Sequence, residues 1–186
     1  MRRFITWVVD AQSGHLEQFK AHQTPEVIAD DIARQLTSPT FLTGGPRFAS
    51  GLWMLSDRKD TRAEGAYFAL GVQPLPEGVR SPDELPDDDP EQMRYMQAAG
   101  SNRAMTIEAR VPDADGGYTH YVLAREPGAD PNRWVPLAWD NGSAKPYKIR
   151  LHPEEVFTGE QAASVFRDYI VNDQLPGPEL LRPIDV

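Results

Sequence analysis

Few residues in this sequence are of a type and spacing that could do chemistry, and the histidines come first among them. No two histidines stand at a metal-ligand spacing such as HxxxH, so we predict no metal site. We expect each histidine to be solvated or simply hydrogen-bonded. One of them lies in a predicted strand, where only the fold can bring a carboxylate close enough to form a dyad. The four are His15, His22, His120 and His152, and the one in the strand is His120.

A glycine-rich segment and two carboxylate pairs also lack the pattern that catalysis requires. Residues 44–51 (GGPRFASG) have no GxxxxGK[ST] phosphate-binding pattern, and Ser50 lacks the first glycine of a GxSxG nucleophile elbow. The neighbours Asp30–Asp31 and Glu154–Glu155 point in different directions on a helix or strand, so we expect no acid–base pair there. The chain has no cysteine, which excludes disulfides and thiolate metal sites. We therefore predict no catalytic residue, no metal and no cofactor.

The clearest functional signal is an acidic, proline-rich segment, residues 73–90. Between residues 77 and 91 there are seven acidic side chains and a single basic one, Arg80, against a formal net charge of −9 for the whole chain. Such a loop can simply be solvated, or it can steer and dock a basic partner. Weak metal binding at its three consecutive aspartates lacks the ligand alternation of a calcium loop. Our hypothesis is a docking surface that contains Asp83, Glu84, Asp87, Asp88, Asp89 and Glu91.

Trp134 completes the predicted partner-binding site. All four tryptophans lie in or beside predicted strands, where such residues are usually part of the core. Trp134 follows the polar loop REPGADPNR, so we expect it to be partly exposed, and exposed aromatic residues are enriched at binding hot spots. The three that we expect in the core are Trp7, Trp53 and Trp139.

Charge and length limit the classes of partner. The net charge of −9 argues against binding nucleic acid or an anionic membrane, because both require clustered lysine and arginine, whereas a basic protein partner fits. The N-terminal apolar run stops at Asp10, too early for a signal peptide, and no stretch is long enough to cross a bilayer. We expect a cytoplasmic protein with one domain, residues 1–186, in which residues 73–90 form an irregular insertion.

The N-terminal half is predicted to form strands around one helix. The helix begins at Pro25, where Thr24 can cap its first turn, and its apolar residues recur at four-residue spacing until Pro39 ends the pattern. Strands are predicted at 3–9, 15–20, 51–55 and 66–72, the last two as a hairpin.

The second half begins with a predicted short helix and continues with hairpins. Asp89 is a suitable N-cap for a helix over residues 91–99, which Gly100 would end. Turns rich in Asp-Gly and Asn-Gly then predict two hairpins. Their strands are 102–111 with 118–126, and 134–139 with 145–151.

The last predicted element is an amphipathic helix that begins with a capping box. The Thr158 hydroxyl can accept a hydrogen bond from the amide of Gln161, whose side chain can reach back to the Thr158 amide. Together these elements predict an α+β class, with a mostly antiparallel sheet of hairpins and two main helices packed on one face. The residues expected to face the core are Ala162, Val165, Phe166, Tyr169 and Ile170.

The C-terminal sequence VFTGEQAASVFRDYIVNDQLPGPELL resembles immunity proteins of bacterial polymorphic toxin systems, especially the family paired with deaminase toxins. The residues that carry the resemblance are Gln161, Ala162, Phe166, Tyr169, Pro176 and Leu180. Where the family's tail often has a tryptophan, this chain has Leu180–Leu181. The resemblance implies a non-enzymatic inhibitor that occludes the active site of a toxin. The acidic insertion would suit a toxin that holds nucleic acid, since such sites are basic.

Three functions therefore stay open from the sequence. The first is an immunity protein that neutralises a basic toxin domain. The second is a secretion accessory protein or chaperone, which would expose a large apolar patch. The third is an enzyme or small-ligand binder with a pocket against the sheet, to which His120, Tyr121 or Arg110 would contribute polar groups.

Overall fold

The computed structural model describes residues 1–10, 14–38, 68–87, 89–139 and 147–185, and within these ranges it contains nine strands and two α-helices. The strands are β1 (Phe4–Asp10), β2 (Gly14–Lys20), β3 (Phe68–Pro74), β4 (Tyr95–Ser101), β5 (Ala104–Pro112), β6 (Tyr118–Leu123), β7 (Val135–Trp139), β8 (Tyr147–Leu151) and β9 (Leu181–Ile184). The helices are α1 (Pro25–Thr37) and α2 (Gly159–Asn172).

Seven of these strands form one antiparallel sheet in the order β2-β1-β3-β4-β5-β6-β9, and β7 pairs with β8 in a separate hairpin. The two helices pack against each other and cover one face of the sheet. The α+β class predicted from the sequence is confirmed. Among the described residues, no helix combines the length and the apolar composition needed to cross a membrane.

The main core lies between the sheet and the helix pair. Alternate residues of the central strands, such as Leu70, Met96 and Ile107, point toward the helices and are buried. From the helices, Ile32 and Phe166 meet them. A smaller cluster lies on the other face, where the β7–β8 hairpin covers part of the sheet through Ala99, Val122, Leu137 and Leu151. We call these the helix face and the hairpin face.

Both helices begin as the sequence predicts. The Thr24 hydroxyl accepts a hydrogen bond from the amide of Val27, and Thr158 and Gln161 form the reciprocal capping box. Of the predicted core stripe of α2, Val165 is partly buried and the other four residues are fully buried. Several residues that carry the family resemblance therefore support the fold.

The predicted helix over residues 91–99 is wrong. Asp89 does cap a helical turn, but this is a single 3₁₀ turn, Pro90–Met93, and residues 95–101 form the central strand β4. This segment pairs with β3 on one side and β5 on the other, which satisfies its backbone hydrogen bonds and buries Met96 and Ala98. These gains outweigh the helical propensity of the segment.

The sheet has two features that the sequence analysis does not predict. Residues 69–72 of β3 are paired with β1 on one side and β4 on the other, while their predicted hairpin partner, residues 51–55, lies outside the described residues, as do Trp53 and residues 44–51. The C-terminal tail adds the edge strand β9, which the sequence did not predict because its proline breaks the strand pattern. Pro183 is tolerated there since an edge strand needs hydrogen bonds on one side only.

Candidate functional site

The predicted partner-binding residues lie in two separate places. The acidic residues lie in the connection from β3 to β4, residues 75–94. Trp134 lies instead beside Arg182 of β9, which is three strands away from β4 in the sheet. The structure therefore does not unite them in one surface patch, and each is described by itself.

The connection from β3 to β4 is held in place by its own hydrogen bonds. The Ser81 hydroxyl accepts from the amide of Asp83, and Asp89 Oδ1 accepts from the amide of Glu91 at 2.9 Å, so each caps a 3₁₀ turn. The side chain of Gln92 donates to the Leu85 carbonyl at 3.3 Å and links the two turns. Gln73 of β3 donates to the Gln92 carbonyl at 3.1 Å, which ties the segment to the sheet.

The acidic side chains of this segment fall into two groups. Asp89 is partly buried as a cap, and Glu91 is engaged by Arg94 through two hydrogen bonds of 2.7 and 3.0 Å, which raise the pKa of that guanidinium. Asp88 lies outside the described residues. The others are exposed, and we name them the acidic surface: Glu77, Asp83, Glu84 and Asp87. These carboxylates are the ones that a partner can reach.

Trp134 is partly exposed, as predicted, with 38% of its surface accessible. Its ring contacts His152 at a centroid separation of 3.9 Å with the two planes tilted by 36°, and the guanidinium groups of Arg150 and Arg182 lie 5.7 and 5.5 Å from its centroid. His152 Nδ1 lies 2.9 Å from the carbonyl oxygen of Arg133, which fixes the imidazole plane. Cations of the chain itself therefore already occupy positions over Trp134.

A cavity of about 340 Å³ lies next to this cluster. Its walls come from the loop after β6, the turn after β8 and the tail that leads into β9. Glu154 and Glu155 of that turn are both buried, and they have different partners. Glu155 is held by two hydrogen bonds from Arg182, whereas Glu154 Oε1 accepts from the Ala129 amide at 3.3 Å. The lining residues are Ala124, Gly128, Asp130, Pro131, His152, Glu154, Glu155, Glu179, Leu180, Leu181 and Arg182.

A third polar group lies on the hairpin face of the central strands. His120 is buried, with Nε2 3.3 Å from Glu108 Oε2, and Gln97 donates to the same carboxylate oxygen at 2.8 Å. The fold thus brings Glu108 next to His120, a carboxylate partner that the sequence alone could not identify. The register of the β5–β6 hairpin explains this contact. Arg110 pairs directly with His120, so Glu108, two residues before Arg110, lies diagonally across from His120 on the same face.

Aromatic rings enclose this polar group. Tyr95 stands edge-on to Trp7 at 5.6 Å and to His120 at 5.8 Å. The guanidinium of Arg110 lies 4.9 Å from the ring centroid of Tyr95, close enough for a cation–π contact. Tyr121, the third residue named for a pocket against the sheet, packs on the helix face instead, because consecutive strand residues point to opposite faces.

Glu108 should make the protein acid-sensitive. Burial opposes ionisation of this carboxyl, but contacts from His120 and Gln97 outweigh it and lower the pKa below its ordinary value of 4.5. A lowered folded-state pKa adds stability above the unfolded-state pKa, and this stability is lost as the pH falls through the folded-state value. We therefore expect the free energy of unfolding of Glu108→Gln to fall less than that of the wild type as the pH is lowered from about 5.

Urea denaturation across that pH range measures the effect. Glu126→Gln is the matched control, since Glu126 is exposed and lies 3.8 Å from the guanidinium of Arg125. It should follow the wild-type curve. Parallel pH curves for wild type and Glu108→Gln would show that the His120–Glu108 contact contributes nothing to acid sensitivity.

The remaining histidines and carboxylates do not form a further centre in the described part of the chain. His22 is exposed, and the side chain of His15 lies outside what the structure describes. Among the described residues, no group of three or more histidine or carboxylate side chains is placed to hold a metal ion. Comparison with protein-family models, with curated proteins and with solved structures gives no match to this chain.

Proposed function

We propose that this chain is a non-enzymatic binding protein that neutralises a basic protein partner in the cytoplasm, in the manner of an immunity protein that occludes a toxin's active site. The observation that carries the proposal is the acidic surface. Its carboxylates are exposed, yet the backbone that presents them is fixed by capped turns and by the link from Gln73 to Gln92.

A fixed array of like charges suits recognition better than a loosely tethered one. The repulsion among Asp83, Glu84 and Asp87 is overcome once, when the chain folds, so a basic partner meets a negative potential that is already formed. Such a potential accelerates association and disfavours acidic competitors. Toxins that act on nucleic acid are basic around their active sites, which makes them suitable partners for this surface.

Co-purification with the product of the adjacent reading frame tests the proposed function. The chain, expressed with that product, should elute with it as a 1:1 complex, and the complex should suppress the toxicity of the partner. A neighbouring product that is neither bound nor neutralised by this chain would overturn the proposal.

The acidic surface should control how fast the complex forms. The triple variant Asp83→Asn, Glu84→Gln, Asp87→Asn keeps the local acceptors but removes three charges. We expect association to slow about tenfold at low ionic strength, with dissociation and the melting temperature nearly unchanged. The difference should shrink in about 1 M salt, where the screening length is roughly 3 Å. Stopped-flow association rates measure it.

A charge-matched control separates position from net charge. The variant Glu126→Gln, Glu160→Gln, Asp185→Asn removes the same number of exposed carboxylates from other elements. It should associate at nearly the wild-type rate. Equal slowing by both triple variants would mean that total charge, and not the acidic surface, steers the partner.

A further inference from the structure

The cavity beside Trp134 contains a buried carboxylate whose hydrogen bonding is incomplete. Glu154 is 9% exposed, and its Oε2 atom is covered and has no hydrogen-bond partner among the residues that the structure describes. The backbone amides of Glu154 itself and of Ala129 lower the pKa of this carboxyl, with a smaller contribution from the nearby Arg133, so it is ionised at neutral pH. An ionised oxygen without a donor is costly, and a bound cation would supply one.

Among the described residues, the lining of the cavity is mostly acidic, with one guanidinium and the imidazole of His152 beside the carboxylates. Four carboxylates line it, and Arg182 is committed to Glu155 through two hydrogen bonds. Three carboxylates are left to attract a ligand, and they come from three different parts of the chain. Glu154 lies in the turn after β8, Asp130 in the loop after β6, and Glu179 in the tail before β9.

We propose that this cavity binds a guanidinium group, which, if the proposed function holds, is the side chain of an arginine of the basic partner. The volume of about 340 Å³ suits an organic side chain. The carboxylates surround the space without converging at metal-ligand distances. A planar group with five N–H donors can bond to separated carboxylates at once, which an ammonium with three donors does less well.

The neighbouring residue, Glu155, already binds a guanidinium of the chain itself in this way. Arg182 places Nε and Nη2 on the two oxygens of Glu155, and its guanidinium also faces the ring of Trp134. A second guanidinium, bound at Glu154, would repeat the first contact. Oε2 is covered, so the carboxylate of Glu154 must turn about its soft terminal torsion to meet a guanidinium, which then replaces the Ala129 amide as the donor to Oε1.

Three small probes test the site without the partner: N-acetyl-arginine amide, its neutral isostere N-acetyl-citrulline amide, and N-acetyl-lysine amide. NMR titration of the full chain should show saturable binding of the arginine probe at millimolar concentration, with shifts at residues 128–131 and 152–155. Citrulline should not bind, and lysine should bind more weakly. Citrulline or lysine binding as well as arginine would overturn the assignment.

Substitutions test whether the arginine probe binds at the carboxylate of Glu154. Glu154→Gln should weaken the arginine probe about tenfold, whereas the exposed Glu126→Gln should leave it unchanged. An unchanged affinity in Glu154→Gln overturns the site. The wild-type comparison of arginine with citrulline stands without this variant, so a folding defect would not remove the test.

The complex with the partner decides the source of the guanidinium. If the partner supplies it, Glu154→Gln should speed dissociation of the complex, while the acidic-surface variant slows association. An unaltered dissociation rate, with the probe still selective, overturns the partner as the source and assigns the cavity to a free guanidinium compound. Selective probe binding in a chain that forms no complex would sink the proposed function alone.

Discussion

Replacing Gly159 by alanine should destabilise the fold by roughly 3 kcal/mol, at the upper end of what overpacking usually costs. A Cβ atom at this position would lie 2.2 Å from the carbonyl oxygen of Leu36 and 2.8 Å from its carbonyl carbon. Both atoms belong to the backbone of the last turn of α1, so no rotamer change can make room. The first residue of α2 must therefore move away from α1, or the helix end must distort.

The cost should be high because the two helices share one core. Gly159 also donates its amide to the Asn102 carbonyl at 2.7 Å, which anchors the start of α2 to the β4–β5 connection. Any shift that relieves the clash therefore strains this hydrogen bond or loosens the contact of Phe166 and Ile32 in the core. Urea denaturation followed by circular dichroism gives the free energy of unfolding.

Gly128 supplies the matched control. A Cβ there would meet no atom within 4 Å, so Gly128→Ala should change the free energy of unfolding by no more than about 0.5 kcal/mol. A Gly159→Ala variant as stable as Gly128→Ala would show that α1 and α2 can separate freely and that their close approach does not constrain the fold.

Local signals account for what the sequence predicted correctly. The caps at Thr24 and Thr158 depend on residues two or three positions away, and they form as expected. The hairpins β5–β6 and β7–β8 were predicted because the turn residues lie between their strands. Such features require no knowledge of the rest of the chain.

Non-local contacts account for what the sequence could not predict. Residues 95–101 have the composition of a helix, and only their position between β3 and β5 makes them a strand. The edge strand β9 forms because its backbone meets β6, despite Pro183. The close approach at Gly159 is equally invisible, since its neighbour Leu36 is more than a hundred residues earlier.

The candidate sites show the same difference between local features, which the sequence predicts, and non-local ones, which it does not. The exposure of Asp83 and Trp134 was predicted from the polar segments around them. The ion pair of Glu91 with Arg94 is also a local feature, because residues three apart meet both in the helix expected there and in the 3₁₀ turn that forms. The cavity at Glu154 depends on three separate parts of the chain, and no local pattern in the sequence indicates it.

Replacing Arg182 by methionine should cost about 3 kcal/mol, because it leaves the Glu155 carboxylate buried without its cation. Glu155 is 2% exposed, and after the change the amide of His152 would be its one remaining donor among the described residues. We expect the lower end of the usual range for a broken buried pair because the Arg182 side chain is 34% exposed. The free energy of unfolding at neutral pH measures the loss.

A second substitution shows whether the buried charge is the cause. In the double variant Glu155→Gln, Arg182→Met the charge is removed while an oxygen remains for the His152 amide, so most of the lost stability should return. Arg150→Met is the matched control, since Arg150 also lies over Trp134 but is exposed, and it should cost less than about 1 kcal/mol. If the double variant were no more stable than Arg182→Met, the loss would come from packing against Trp134. The tail would then be held to the body by the apolar stem of Arg182 and not by its ion pair.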